Sequence, residues 1–102
     1  MPKKTCKRLS LKWDEEAEEE WEQILTYYTL RNASHAYSLK LDKELQETLA
    51  AICERPGMGQ EMELEGVRRF SVARRFAVFY QFDSEKVEVL SVVDARRNVP
   101  LD

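Results

Sequence analysis

The stretch Phe76-Ala77-Val78-Phe79-Tyr80-Gln81-Phe82 is apolar on both alternate faces. A strand covered on both sides belongs in the middle of a sheet. Val67–Val72, just before it, reads as a moderate strand that returns through a turn around Arg74. After it, Asp83-Ser84-Glu85-Lys86 has the chemistry of a hairpin loop, because short polar side chains tolerate turn backbone. Val87–Val93 is then a third strand, with Val87, Val89 and Val93 on one face and Leu90 and Val92 on the other. Joined by such short connections, the three predict an antiparallel meander.

Upstream, Pro56-Gly57-Met58-Gly59 cannot continue a helix and marks an exit loop. Before it, Tyr37, Leu41, Leu45, Leu49 and Ile52 fall at helical spacing up to about Cys53, with Ser34 placed to cap. From Glu15 to about Arg31, the residues Ala17, Trp21, Ile24, Leu25 and Tyr28 draw another stripe on one side of a helix. Asn32–Ser34 separates the two, and so short a turn predicts an antiparallel helix hairpin. Asp14 stands where an N-cap carboxylate belongs. Leu9, Leu11 and Trp13 alternate with Arg8, Ser10 and Lys12, the period of a half-buried strand. Met1–Thr5 reads as a loose basic arm and Asp94–Asp102 as a polar tail. The expected fold is α+β: an N-terminal strand, an antiparallel helix hairpin, then a three-stranded antiparallel meander, with the helices packed on one face of the sheet. Trp21, Leu25, Tyr28, Leu41, Leu45, Leu49, Val78, Tyr80 and Leu90 are its expected core.

The 102 residues suffice for one domain, residues 1–102. No apolar run approaches the ~20 residues of a membrane span, and no secretory pattern opens the chain, so the expectation is a cytoplasmic protein without membrane contact. Cys6 and Cys53 lack CxxC spacing and have one histidine, His35, to join them. No metal site is expected. No cofactor is expected either, since there is no Gly-rich phosphate loop and no nucleophile–base pair.

Charge is unevenly spread. Residues 14–22 hold seven acids and no cation, which reads as a solvated helix face. Residues 67–97 hold seven cations against four acids. Six of those cations are arginines: Arg68, Arg69, Arg74, Arg75, Arg96 and Arg97. Each alone is an ordinary strand-end charge; as a group in a chain of net charge −3 they mark a candidate target-binding surface.

The order and spacing of these pieces resemble the RelE/ParE toxin superfamily from Leu9 to Pro100. The helix hairpin followed by Pro56-x-x-Gly59 looks like that family's first half. Val67-Arg68-Arg69, Phe76-Ala77-Val78-Phe79-Tyr80 and Val87-Glu88-Val89-Leu90-Ser91-Val92 look like its meander. Asp94-Ala95-Arg96-Arg97-Asn98-x-Pro100 is similar to the ending of many ParE-like members. The resemblance implies the toxin of a bacterial type II toxin–antitoxin pair, of the kind tied to plasmid stabilisation, neutralised by a cognate antitoxin protein. It also implies a groove between hairpin and meander that takes an amphipathic antitoxin segment, with rim arginines paired to the segment's acids.

RelE-like members cut messenger RNA on the ribosome; ParE-like members poison DNA gyrase. RNA cleavage through the 2′-OH needs a base, an acid and cations on the phosphate. If the chain were such a ribonuclease, Arg75, Tyr80 and Asp94 would be the catalytic candidates. The resemblance argues against it. The strand arginine that RelE-like members carry three places before the tyrosine is Ala77 here, and the chain ends at Leu101-Asp102 without their C-terminal tyrosine. Arg75, two residues earlier, would share the face of Ala77 and could replace that arginine. His35 reads as a surface or capping residue. The expectation is a ParE-like gyrase poison, against a ribosome-dependent endonuclease or an inactive relative that only binds antitoxin.

Overall fold

Both apolar helix stripes meet the sheet as their spacing predicts. A computed structural model describes residues 8–95. The first strand, β1 (Ser10–Trp13), leads into α1 (Glu15–Asn32) and α2 (Ala36–Glu54), and a 3-10 turn follows at Pro56–Met58. Next come β2 (Gln60–Glu61), β3 (Arg68–Val72), β4 (Phe76–Phe82) and β5 (Lys86–Asp94). Among the described residues the sheet order is β1-β5-β4-β3-β2. The β3–β4–β5 meander is antiparallel, but β1 runs parallel to β5, from Ser10 beside Lys86 to Trp13 beside Val89. The sheet is therefore mixed. A parallel neighbour needs a long crossover, and the chain from α1 to β4 supplies it.

Ala17, Trp21, Ile24 and Tyr28 of α1, and Leu41, Leu45, Leu49 and Ile52 of α2, are buried against Val72, Phe76, Val78, Tyr80, Val87, Val89 and Val92 of the sheet. Trp21 packs edge-on to Phe76 at 5.6 Å and donates its indole N–H to Asp42 at 2.9 Å. Between the helices, Ser38 Oγ donates to the Leu25 carbonyl at 2.9 Å and shares a 2.6 Å bond with Thr29 Oγ1. That satisfies the buried serine where the helices cross.

Three expectations need correction. Asp14 holds the N-cap position of α1, yet its side chain makes no capping bond. Leu25, at the edge of its stripe, is only half-buried and packs on the margin of the core. Leu90 is half-buried too, because it is the extra residue of a β-bulge. Tyr80 pairs with Val89, whereas Phe79 pairs with Ser91. One inserted residue reverses the alternation of the strand. The buried positions of β5 are thus Val87, Val89, Val92 and Asp94, and Val93 leaves the face it was expected to share with Val87.

Candidate functional site

The turn between β3 and β4 is tightened by two left-handed residues, Ala73 (φ 55°) and Arg74 (φ 59°), with Arg75 N–H donating to the Val72 carbonyl at 3.1 Å. Positive φ at both central positions is what the twist of a tight hairpin favours, although it is unusual for side chains other than Gly, Asn or Asp. Arg74 is exposed at the tip. Arg75 turns back toward the helices. Its guanidinium lies 5.4 Å from the Tyr28 ring centre and 5.9 Å from that of Tyr37, and it donates to the Tyr37 hydroxyl.

Tyr28 couples this turn to the end of β5. Its hydroxyl donates to Asp94 Oδ2 at 2.6 Å, and both residues are 6% exposed. Burial first, and then the bond to Asp94, push the Tyr28 phenol up to about 12. Beside it, Ala95 N–H donates to the Arg75 carbonyl at 2.7 Å. The chain therefore leaves β5 against the Arg74–Arg75 turn. Arg96 and Arg97 come next in sequence and lie outside the described residues.

The remaining arginines stand elsewhere. Arg68 is at the other end of β3, where Nη1 donates to the carbonyls of Gly57 (3.1 Å) and Gly59 (2.6 Å), and Nη2 pairs with Glu61 at 3.0 Å. It binds the exit loop to the sheet. Arg69 is half-buried and reaches Ser71 Oγ at 3.5 Å. The six-arginine surface of the sequence thus divides: Arg74 and Arg75 share one end of the sheet, Arg68 serves the fold at the other, and Arg69 is separate.

The three catalytic candidates do not form a proton-transfer set. Tyr80 is fully buried at the loop end of β4; its hydroxyl donates to the Pro56 carbonyl at 2.7 Å and accepts from Gly59 N–H at 2.9 Å. Burial raises its pKa above the usual tyrosine value. Asp94 meets a tyrosine at the opposite end of the sheet, and Arg75 is packed on aromatic rings. Arg75 also fails to share a face with Ala77. The left-handed turn directs it to the helix side, whereas Ala77 alternates with the core residues Phe76 and Val78 and so faces away. His35 occupies the N-cap position of α2, exposed and making no side-chain capping bond; Ser34 Oγ accepts the Ala36 N–H instead.

A groove of about 420 Å³ runs between α2 and β3, lined by Glu44, Glu47, Ala51, Met58, Phe70 and Val72 among others. Among the described residues the charges lining it are glutamates, where arginines were expected at the rim. Strand β2 pairs only with Arg68 and Arg69. The outer edge of Phe70–Val72, which borders this groove, therefore pairs with no strand among the described residues.

Tyr28 and Tyr37 were legible only as stripe residues. A hydroxyl on a buried stripe needs a polar partner, and that was the available signal for the Tyr28–Asp94 bond. Glu20 was hidden within the acid run. Its Oε1 accepts from Ser91 Oγ at 2.9 Å and from Val92 N–H at 3.0 Å.

The family described as "ParE toxin of type II toxin-antitoxin system, parDE" matches residues 11–99. Among solved structures, the chain is similar to one from the chromosomal ParDE toxin–antitoxin system of P. aeruginosa, with TM-score 0.74 and 21% identity, covering 85% of this chain and 96% of that one. TrmO from P. aeruginosa gives a weaker likeness, with TM-score 0.47 and 12% identity over 87% of this chain and 34% of that one. The comparison with curated proteins finds no match.

Proposed function

This chain belongs to the ParE toxin family of type II toxin–antitoxin systems, and from that premise we propose that it acts by binding DNA gyrase rather than by cutting RNA. One observation carries the reading: each of the catalytic candidates is engaged within the fold, and the three do not meet in one site. Tyr80 is enclosed and doubly bonded, Asp94 accepts from Tyr28, and the Arg75 guanidinium is held by two tyrosines. A poison needs a recognition surface and no general acid or base. Exposed Arg74, with Arg96 and Arg97 following Ala95 in sequence, supplies the cations for it; guanidinium suits phosphate or carboxylate partners because its planar fork binds two oxygens.

The antitoxin belongs in the groove between α2 and β3. An extended segment there gains the open edge of Phe70–Val72 and sets apolar side chains against Ala51 and Met58. Glu44 and Glu47 call for lysine or arginine on the segment that lies across them.

The test adds purified protein to a gyrase supercoiling reaction and, separately, to translating ribosomes. Inhibited supercoiling that is lost in Arg74→Ala, with intact messenger, is the expected result. Codon-specific messenger cuts would overturn the proposal. Inactivity in both assays would also overturn it, in favour of a relative that only binds antitoxin. Co-expression with a cognate antitoxin should give a complex that survives purification at micromolar concentration.

A further inference from the structure

The bulge at Leu90 has a specific consequence for the basic end of the sheet. An unbroken β5 that buries Val87 and Val89 would next bury positions 91 and 93 and turn Asp94 away from the helices. The inserted residue moves Val92 and Asp94 inward, to 1% and 6% exposure. Strand β1 runs beside β5 only as far as Val89, so beyond it the outer edge of β5 has no strand partner among the described residues, and a buried N–H without an acceptor is costly. Here Glu20 of α1 supplies the acceptor, taking both Val92 N–H and Ser91 Oγ on one carboxylate oxygen. Two turns further along the same helix, Tyr28 grips Asp94 at 2.6 Å. The strand is thus held by α1 on both sides of Val92 and Val93, and the residue that follows it, Ala95, donates to Arg75.

We propose that Glu20 is a positioning residue for the target-binding end of the toxin. By holding the strand beyond the Leu90 bulge, it fixes the register that brings Asp94 onto Tyr28 and Ala95 onto Arg75, and so sets the stance of the turn that carries Arg74. This rests on the reading that Arg74 faces the target. The role distinguishes Glu20 from its neighbours: Glu18, Glu19 and Glu22 are exposed on the solvated face, whereas Glu20 is half-buried. Nothing in the position requires the negative charge itself, since an amide oxygen can accept the same two bonds.

The experiment compares Glu20→Ala, Glu20→Gln and wild type in three measurements: amide hydrogen exchange, antitoxin complex formation and gyrase inhibition. In Glu20→Ala the amides of Val92 and Ala95 should exchange about tenfold faster or more, as expected on losing bonds to a charged acceptor. Gyrase inhibition should fall by a similar factor. Antitoxin binding at the α2–β3 groove should be unchanged, a split that general destabilisation would not produce. Glu20→Gln should recover both exchange and inhibition to within about threefold, since one oxygen again takes both donors. Should Glu20→Ala fail to fold, Ser91→Ala removes only one of the two donors, and a smaller acceleration at Ala95 is then expected. Wild-type protection at Ala95 in whichever variant folds overturns the proposal. Wild-type protein inert toward gyrase would instead refute the target, and the Ala95 exchange would still decide the role of Glu20 in the register.

Discussion

Changing Tyr28 to phenylalanine removes one oxygen from the joint between α1 and β5 and leaves the ring where it is. That ring keeps its edge-on contacts with Tyr27, Tyr37 and Phe76 at 4.9, 5.4 and 6.2 Å, and the Arg75 guanidinium beside it. What is lost is a 2.6 Å hydrogen bond to a carboxylate that is 6% exposed. Bonds to charged groups contribute about 1.5–3 kcal/mol net, so Tyr28→Phe should cost roughly that amount. For a domain of this size the melting temperature should drop on the order of 10 °C. The same bond sets an alkaline signature. The folded Tyr28 phenol is raised from 10.0 to about 12, so its contribution is fully present below pH 10 and lost as the pH rises from 10 towards 12. The substituted ring has no hydroxyl to titrate, so the deficit of the variant should narrow across that window. Tyr80, also raised, keeps a residual slope in both proteins. Urea unfolding followed by circular dichroism at pH 8 and above pH 10 measures both effects. A loss under ~0.5 kcal/mol at pH 8, below the net value of a typical hydrogen bond, would refute the claim that this bond joins helix to strand.

Other perturbations separate fold from function. Leu45→Ala removes a fully buried side chain between helix and sheet and should cost about 2–5 kcal/mol in urea unfolding. Gly59→Ala would place a methyl group 2.5 Å from the Tyr80 hydroxyl oxygen; the exit loop must shift, and a loss of about 1–3 kcal/mol is expected, with Arg68 loosened from the loop. Arg74→Gly should leave stability unchanged or raise it by up to about 1 kcal/mol, because glycine relieves the left-handed backbone at φ 59°, while gyrase inhibition falls. Unimpaired inhibition in Arg74→Gly would place the recognition surface elsewhere.

The local elements could be read from the chain because each carries its own periodicity. The helix stripes through Leu45 and Tyr28, the doubly apolar strand Phe76–Phe82 and the breaker Pro56-Gly57 are patterns among neighbouring residues, and burial of apolar surface rewards them wherever the chain places them. The order of these elements also sufficed to suggest the family. The enclosure of Tyr80 followed from its apolar strand, although its partners Pro56 and Gly59 did not.

What the tertiary structure decided is how distant segments meet. The parallel seat of β1 beside β5 depends on a crossover of the whole helix hairpin. The Leu90 bulge has no local signature, since Val87–Val93 alternates plausibly without one; the strand beyond it meets Glu20, far back on α1, which accepts from Ser91 Oγ and Val92 N–H. Asp94 then faces Tyr28 instead of solvent, and Arg75 lies on tyrosine rings instead of on the face of Ala77. The six arginines look like one set along the chain, but only three-dimensional pairing shows that Arg68 ties down a loop while Arg74 is exposed at a strained tip. Periodicity records which side of its own element a residue takes, and an inserted residue or a left-handed turn reverses that side at a stroke. Hydrogen-bond partners supplied from far along the chain determine where such reversals are stable.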